Sequence, residues 1–248
     1  MGESTLKEMV TEKIKSLAII GSGNVATHIG QVLACQIPIV QVTSKTIEHA
    51  TTLADAIGNG CTASDKLEKL VHADAYCISV NDDAIPGILA RIAPKYRNSL
   101  WFHTSGSTGI DVFKGFNSRH GILYPLQTFS RNIAVDFAQI PIFTEGSNSH
   151  ALADIDALAE LLSPHIYHAD SRQREYLHIA AVFACNFSNY LYSQAEDILE
   201  KANLPFSVLL PLIGETVRKA SLQSPATTQT GPAVRGDIRI QLKHLAAL

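Results

Sequence analysis

The stretch that most constrains this chain is Ser16-Leu-Ala-Ile-Ile-Gly-Ser-Gly-Asn-Val-Ala-Thr-His-Ile-Gly30. An apolar run from Leu17 to Ile20 meets Gly21, and Gly21-Ser22-Gly23-Asn24-Val25-Ala26 follows at once. Val25, Ile29, Val32 and Leu33 then recur at spacings of three and four, the period of an amphipathic helix. Strand, glycine turn and helix in that order are the signature of a dinucleotide-binding unit. Gly21 lets the chain turn sharply off the strand. Gly23 leaves the backbone open to a pyrophosphate, and Ala26 still lets helix and strand pack closely. The free N–H groups and positive dipole end of the helix face the phosphates. Gly21, Ser22, Gly23, Asn24 and Val25 are therefore the expected pyrophosphate seat. A glycine turn kept only for packing is the competing reading.

Further strands and helices alternate downstream. Ile37 to Thr43 reads as the second strand, and Thr43-Ser44-Lys45 stands at its end. An NAD site usually places Asp or Glu there, against the ribose 2′-hydroxyl. Hydroxyls and a cation suit a 2′-phosphate instead, so NADP is expected over NAD, with Thr43, Ser44 and Lys45 as the contacts. A helix follows over about 46–57, then a short strand near 58–62. A buried strand, Ala73 to Val80, ends in Asn81-Asp82-Asp83, where either acid can cap the next helix. Ser79, Val80 and Asn81 are expected beside the nicotinamide ribose. The strand at 99–102 ends in His103-Thr-Ser-Gly-Ser107. This alternation predicts an α/β chain with a doubly wound, mostly parallel Rossmann-like sheet. Ligands of such sheets bind beyond the carboxyl ends of the strands, the edge that Gly21–Asn24, Ser44, Ser79–Asp82 and His103–Ser107 share.

Arg119 to Phe129 reads as a loop or edge strand bordering that cleft. Strands near 139–144 and 165–168 flank a helix at 151–162. At Asp170 the character changes: Asp170 with Gln173 resembles a capping box, and a helix is expected over 171–202, stopped by Asn203-Leu-Pro205. Helical stretches follow to Leu248. The expected domains are thus 1–169, the nucleotide-binding part, and 170–248, an all-helical part.

Bulk properties narrow the function classes. The 248 residues are 46% hydrophobic and 17% charged with a net charge of −3, which suits a globular protein and lacks the basic excess of a nucleic-acid binder. No apolar run is long enough to cross a bilayer. Residues 1–15 look like a charged lead-in without a signal-peptide centre. Cys35, Cys61, Cys77 and Cys185 have no metal-ligand spacing and are read as reduced core thiols of a cytoplasmic protein. No metal site is expected.

Several residues can border a substrate. His178, Cys185 and Asn189 fall on one line of an ideal helix, with Asn186 a quarter-turn aside. The His178 imidazole and the helix amides need partners if buried, from a substrate or from a helix interface. His103 and His120 are general-acid candidates, with structural hydrogen bonding as the alternative for each. Thr230-Gly231-Pro232 reads as a helix start whose hydroxyl and free N–H groups can hold an anion or only cap. Arg235 and Asp237 suggest an internal ion pair. No G-x-S-x-G elbow is present, so a serine hydrolase is disfavoured.

Together these motifs resemble a bacterial family of Rossmann-like proteins whose C-terminal half is a domain of unknown function. The resemblance rests on Gly21-Ser-Gly-Asn-Val-Ala26, Ser79 to Ile85, His103 to Ser107, Tyr124-Pro-Leu-Gln-Thr-Phe129, Asn186-Phe187 and Thr230 to Asp237, and it covers nearly the whole chain. That family is similar to pyrroline-5-carboxylate reductase, the deazaflavin-dependent NADP reductases, and the β-hydroxyacid and ketopantoate dehydrogenases. The resemblance implies a nicotinamide cofactor on the N-terminal domain and a helical C-terminal domain at a dimer interface. The β-hydroxyacid and ketopantoate enzymes carry a catalytic Lys four residues before a helix Asn. Asn186 matches the Asn, and Val182 stands where the Lys would be. Of the pyrroline reductase signature only the Thr before Gly-Pro-Ala is matched, by Thr230.

The expected function is an NADP-dependent oxidoreductase of a small carbonyl or imine compound, with His103, His178, Asn186 and Thr230 bordering the substrate. The alternative is a non-catalytic nucleotide sensor or regulatory dimer on the same scaffold.

Overall fold

The computed structural model describes residues 14–248; all but the end of the expected lead-in lies outside them. The described residues form two compact units, 14–181 and 182–248.

The first unit is built on an eight-stranded sheet. The strands are β1 (Leu17–Ile20), β2 (Ile39–Thr43), β3 (Thr62–Ser64), β4 (Ala75–Ile78), β5 (Leu100–His103), β6 (His120–Pro125), β7 (Ile142–Gly146) and β8 (Ile166–His168). Their order is β3-β2-β1-β4-β5-β6-β7-β8. β1 to β6 pair in parallel; β7 runs antiparallel to β6, and β8 follows β7 in parallel. The order reverses between β1 and β4, which is where such sheets open a crevice.

β1 is buried at all four positions, as a strand covered on both faces requires. Its side chains alternate between two apolar clusters. Leu17 and Ile19 pack with Ile29, Leu33, Leu53 and Ile57. Ala18 and Ile20 pack on the other face with Ile85, Leu89, Tyr76 and Trp101. The helices that supply these partners are α1 (Asn24–Leu33), α2 (Ile47–Ile57) and α3 (Ile85–Ile92), with α4 (Ser149–Glu160) covering the far side of β6 and β7. Each leucine or isoleucine removed from water in this way contributes about 1.5–3 kcal/mol. A Cβ on Gly30 would stand 3.0 Å from Ile19 Cδ1 and 3.1 Å from Ile57 Cδ1, so Gly30 sets how closely α1 lies on β1 and α2.

The segment expected as a loop or edge strand at 119–129 contributes an interior strand, β6. Its short run and internal glycine hide it from an alternation pattern, yet the glycine is what the sheet needs. A Cβ on Gly121 would meet Glu145 O of β7 at 2.4 Å.

The capping box is present: Gln173 N–H donates to Asp170 Oδ1 at 2.7 Å and Asp170 N–H to Gln173 Oε1 at 3.0 Å. It opens α5 (Ser171–Ala181). The expected helix over 171–202 is continuous in extent, but residues Val182–Phe187 form a π-helical segment before α6 (Ser188–Lys201). π turns hold more residues, so steps of seven and eleven across that segment no longer return to one line. The two compact units divide at 181/182, and Arg174 ties α5 to the sheet. That side chain is 1% exposed and donates to Glu145 of β7 and to Thr108 O.

The second unit continues with a turn at Phe206–Leu209, α7 (Leu210–Leu222), a turn at Pro225–Thr228 and α8 (Ile238–Ala247). Asn203 ends α6 in the left-handed conformation, φ 56°, and Leu204 N–H reaches back to Leu199 O at 3.0 Å, as a Schellman stop does. The helix start expected at Pro232 is displaced. Positive φ at Gly231 and Gly236 bends the chain first, and α8 begins after Asp237, whose carboxylate accepts from Ile240 N–H. Asp237 thus serves as a cap, and no ion pair to Arg235 is seen among the described residues. Among the described residues no helix is long and apolar enough to cross a membrane.

Candidate functional site

A cleft of about 940 Å³ runs along the carboxyl ends of the first unit's strands. At its centre is the glycine turn. Gly21 has φ +117°, and a Cβ there would lie 1.9 Å from Ser79 O, so only glycine lets β1 and β4 close at the switch point. A Cβ on Gly23 would meet nothing within 4 Å; that face of the turn is open. α1 starts directly behind it, with no side-chain cap and no acid in its first turn. Its first N–H groups and positive dipole end remain available to an anion. Gly21, Ser22, Gly23, Asn24 and Val25 all line the cleft.

From the turn the cleft extends past the end of β2. Ser22 Oγ and Ser44 Oγ are 2.7 Å apart, which ties the glycine turn to that end. Lys45 is exposed and lines the cleft with Thr46, His49 and Lys66. Thr43 differs from the other expected contacts: it is buried, and its hydroxyl donates to Gln41 Oε1 inside the sheet. Two carboxylates also line this end, Asp65 and Glu68. Glu68 is paired with Arg91 of α3.

In the other direction the cleft passes Ser79, Val80 and Asn81 and ends among Thr104, Ser105, Gly106, Tyr124, Gln127 and His178. The hydroxyls of this end are mostly engaged. Thr104 Oγ1 donates to Ser79 Oγ, and Ser105 Oγ and Ser107 Oγ donate to Asp82 Oδ2 at 2.8 and 2.6 Å. Burial pushes the Asp82 carboxyl up, but the hydrogen bonds from Ser107, Ser105 and Thr108 outweigh it and hold the group below the usual carboxylate value. Asp82, a cap candidate by sequence, instead holds the loop after β5. Tyr124 Oη lies 3.0 Å from His178 Nδ1. Tyr124 and Gln127 were not singled out by sequence; only their place in the Tyr124-to-Phe129 motif signalled them.

His103 is not at the cleft. It is fully buried, accepts from Ser105 N–H through Nδ1, and stacks on Phe113 with ring centroids 5.6 Å apart. Burial first, and then the charge of Arg174, push its imidazole down to about 3, against the opposing charge of Asp82. It is therefore neutral at physiological pH and turned away from any substrate, a structural histidine rather than a proton donor. His120 is likewise structural: its Nδ1–H donates to Asn117 O and its ring stacks on Phe113. Burial pushes its imidazole down. Asn186 lies in the π-helical segment and Thr230 just before Gly231, both in the second unit. Of the cysteines only Cys77 is in the core, its thiol pushed up to about 12 by burial; Cys35 and Cys185 are exposed.

The end of the stretch expected to border the cleft, with the residues just after it, straps the glycine turn. Between β6 and β7, Phe129 O accepts from Asn24 Nδ2 at 2.8 Å, Ser130 O bonds His28 Nε2 at 3.0 Å, and Arg131 Nη2 donates to Ser22 O at 2.6 Å. The partners are more than 100 residues apart in the chain. Phe129 and Gln127 of this strap line the cleft.

Comparison with known proteins agrees with this geometry. Residues 16–100 match the family of NADP oxidoreductases described as coenzyme F420-dependent, and residues 140–248 match a domain of unknown function, DUF2520. None of the curated proteins matches the chain. Among solved structures, a candidate NADP oxidoreductase from Bacteroides fragilis is 41% identical over 94% of this chain and 91% of its own, with a TM-score of 0.88. A protein from Thermotoga maritima shares the fold at 21% identity, over 92% and 88% of the two chains, with a TM-score of 0.75. An imine reductase from Myxococcus stipitatus, solved with NADP+, shares it at 15% identity over 87% and 79%, with a TM-score of 0.64. With a Rossmann sheet, an open glycine turn and this degree of likeness to the Bacteroides protein, the chain belongs to the oxidoreductase family that joins a Rossmann domain of the NADP oxidoreductase type to the DUF2520 domain.

Proposed function

We propose that this chain is an NADP-dependent oxidoreductase that reduces a small carbonyl or imine compound. The observation that carries the reading is one continuous cleft. It joins the open face of Gly23 to Lys45 at one end and to Tyr124 and His178 at the other. The residues fit the cofactor. The backbone at Gly21 to Val25 holds the diphosphate. Ser44 and Lys45 hold the 2′-phosphate; the residues that directly follow β2 in the chain, Ser44-Lys45-Thr46, carry no carboxylate, and of Asp65 and Glu68 across this end, Glu68 is paired with Arg91. Thr43 contributes to that end only through its backbone, since its hydroxyl is engaged by Gln41. Ser79, Val80 and Asn81 flank the nicotinamide ribose, and His178 borders the substrate.

When bound, the nicotinamide supplies the hydride. The protein's part is to orient the cofactor, exclude water and manage one proton. The reading rests on the first unit alone and does not need Asn186 or Thr230. We propose in addition that the second unit forms a homodimer.

Calorimetric titration of the purified chain with NADPH and NADH tests the cofactor assignment. NADPH is expected to bind at least about tenfold tighter, a difference of ~1.4 kcal/mol, and Lys45→Glu is expected to erase the preference. Equal binding of the two, or binding of neither, would defeat it. Tight NADPH binding with no turnover of any carbonyl, imine or deazaflavin partner would favour the sensor.

A further inference from the structure

A reductase of carbonyl or imine compounds must also deliver a proton, and few groups at the inner end of the cleft can. His103 is buried and faces elsewhere. The Ser105 hydroxyl donates to Asp82 and accepts from the N–H groups of Ser107 and Thr108. Thr104 donates to Ser79. The Gln127 amide is not an acid.

Tyr124 remains, and the fold supports it from three sides. It sits near the end of β6, and its side chain reaches α5, where Oη meets His178 Nδ1 at 3.0 Å with the rings edge-on. Gly106, from the loop after β5, closes the third side. A Cβ there would lie 2.6 Å from His178 Nδ1 and 2.9 Å from Tyr124 Cζ, so the loop reaches this pair only because residue 106 is glycine. All three residues line the cleft. One helical turn before His178, the buried Arg174 is fixed by Glu145 and Thr108 O. Burial pushes the Tyr124 phenol up, which keeps it protonated, while the Arg174 charge partly offsets that push.

We propose that Tyr124 is the catalytic proton donor and that His178 returns the proton to it; this rests on the reductase reading above. With Nδ1–H of His178 donating to Oη, the phenolic proton points to the substrate. As the substrate carbon gains the hydride, the C=O or C=N electron pair moves onto oxygen or nitrogen. That atom takes the Oη proton. The phenolate then takes the Nδ1 proton of His178, and solvent supplies a proton to the ring. The substrate gains one hydride and one proton, and the protein ends as it began.

The test uses the full chain with tyrosine labelled by ¹³C at Cζ, read by NMR, alongside fluorescence titration of NADPH. In the wild type one resonance is expected to move when NADP+ is added. It should be missing in Tyr124→Phe and displaced in His178→Gln. Tyr124→Phe should bind NADPH within about twofold of wild type, and reduce 1-pyrroline and an aliphatic aldehyde roughly 10²-fold more slowly. His178→Gln preserves a hydrogen bond to Oη but has no acidic proton to transfer, so its rate should fall as well. A Tyr124 resonance that ignores saturating NADP+, or a Tyr124→Phe rate equal to wild type, overturns the donor assignment and leaves the cofactor reading standing. Failure of the wild type to bind either nucleotide overturns both. If the wild type binds but reduces neither compound, the resonance alone decides.

Discussion

His103 shows what one buried side chain does to the whole. A histidine at the carboxyl end of a Rossmann strand reads as chemistry, because the pattern carries residue type and position but not direction. Here Nδ1 takes the Ser105 N–H, which leaves the ring's proton on Nε2. Its imidazole, pushed down to about 3, lies below the ordinary value near 6.5. The unfolded chain therefore takes up the proton first as pH falls. The stability that depends on a neutral His103 is complete above about pH 6.5 and is lost progressively from there toward pH 3, by up to about 1.4 kcal/mol per pH unit. His103→Asn retains an acceptor for Ser105 N–H and removes the titration. Urea unfolding at pH 6.5 and 5 should show the wild type losing about 2 kcal/mol more than the variant over that interval. Parallel losses would mean that the imidazole titrates as it does in water.

At the scale of elements, what the sequence made legible is what is local. The glycine turn, its strand and helix, the alternation that places β1, β2, β4 and β5, and the capping box at Asp170 are all contained in short windows. What it hid depends on partners far along the chain. β6 is an interior strand because Gly121 admits β7, and the strap at 126–131 acts because its carbonyls and Arg131 meet Asn24, His28 and Ser22. Tyr124 became a site residue for the same reason: its meaning lies in α5, 54 positions away. The strap holds the carbonyl of the residue between the two turn glycines, so it fixes the turn that the diphosphate needs. Arg131→Ala removes one of those bonds and no core packing. It should weaken NADPH binding several-fold, by about 1 kcal/mol, and speed amide exchange across 126–131 while leaving the sheet's exchange unchanged. Unaltered affinity with faster exchange would make the strap a mere loop anchor.

At the scale of the molecule, the two units contrast in how they hide apolar surface. The sheet unit buries both faces of its strands. In 182–248 no residue is buried, and Phe183, Leu191, Leu212, Val217, Leu242 and Leu245 are each more than 60% exposed. Helices without a core are marginal in water, and exposed apolar patches on this scale mark association surfaces. A second copy of the same unit offers the same apolar side chains in a symmetric arrangement, the commonest way such surfaces close. The net charge of −3 puts little repulsion in its way. Sedimentation equilibrium should therefore give twice the chain mass of 26.8 kDa. Leu191→Glu and Leu212→Glu together put two carboxylates on that surface, and burying either without a partner costs several kcal/mol. The double variant should sediment as a monomer with a lowered melting temperature. A wild type that stays monomeric at about 50 μM, a concentration at which an interface worth even 8 kcal/mol holds most chains paired, would remove the homodimer and leave the nucleotide cleft of the first unit untouched.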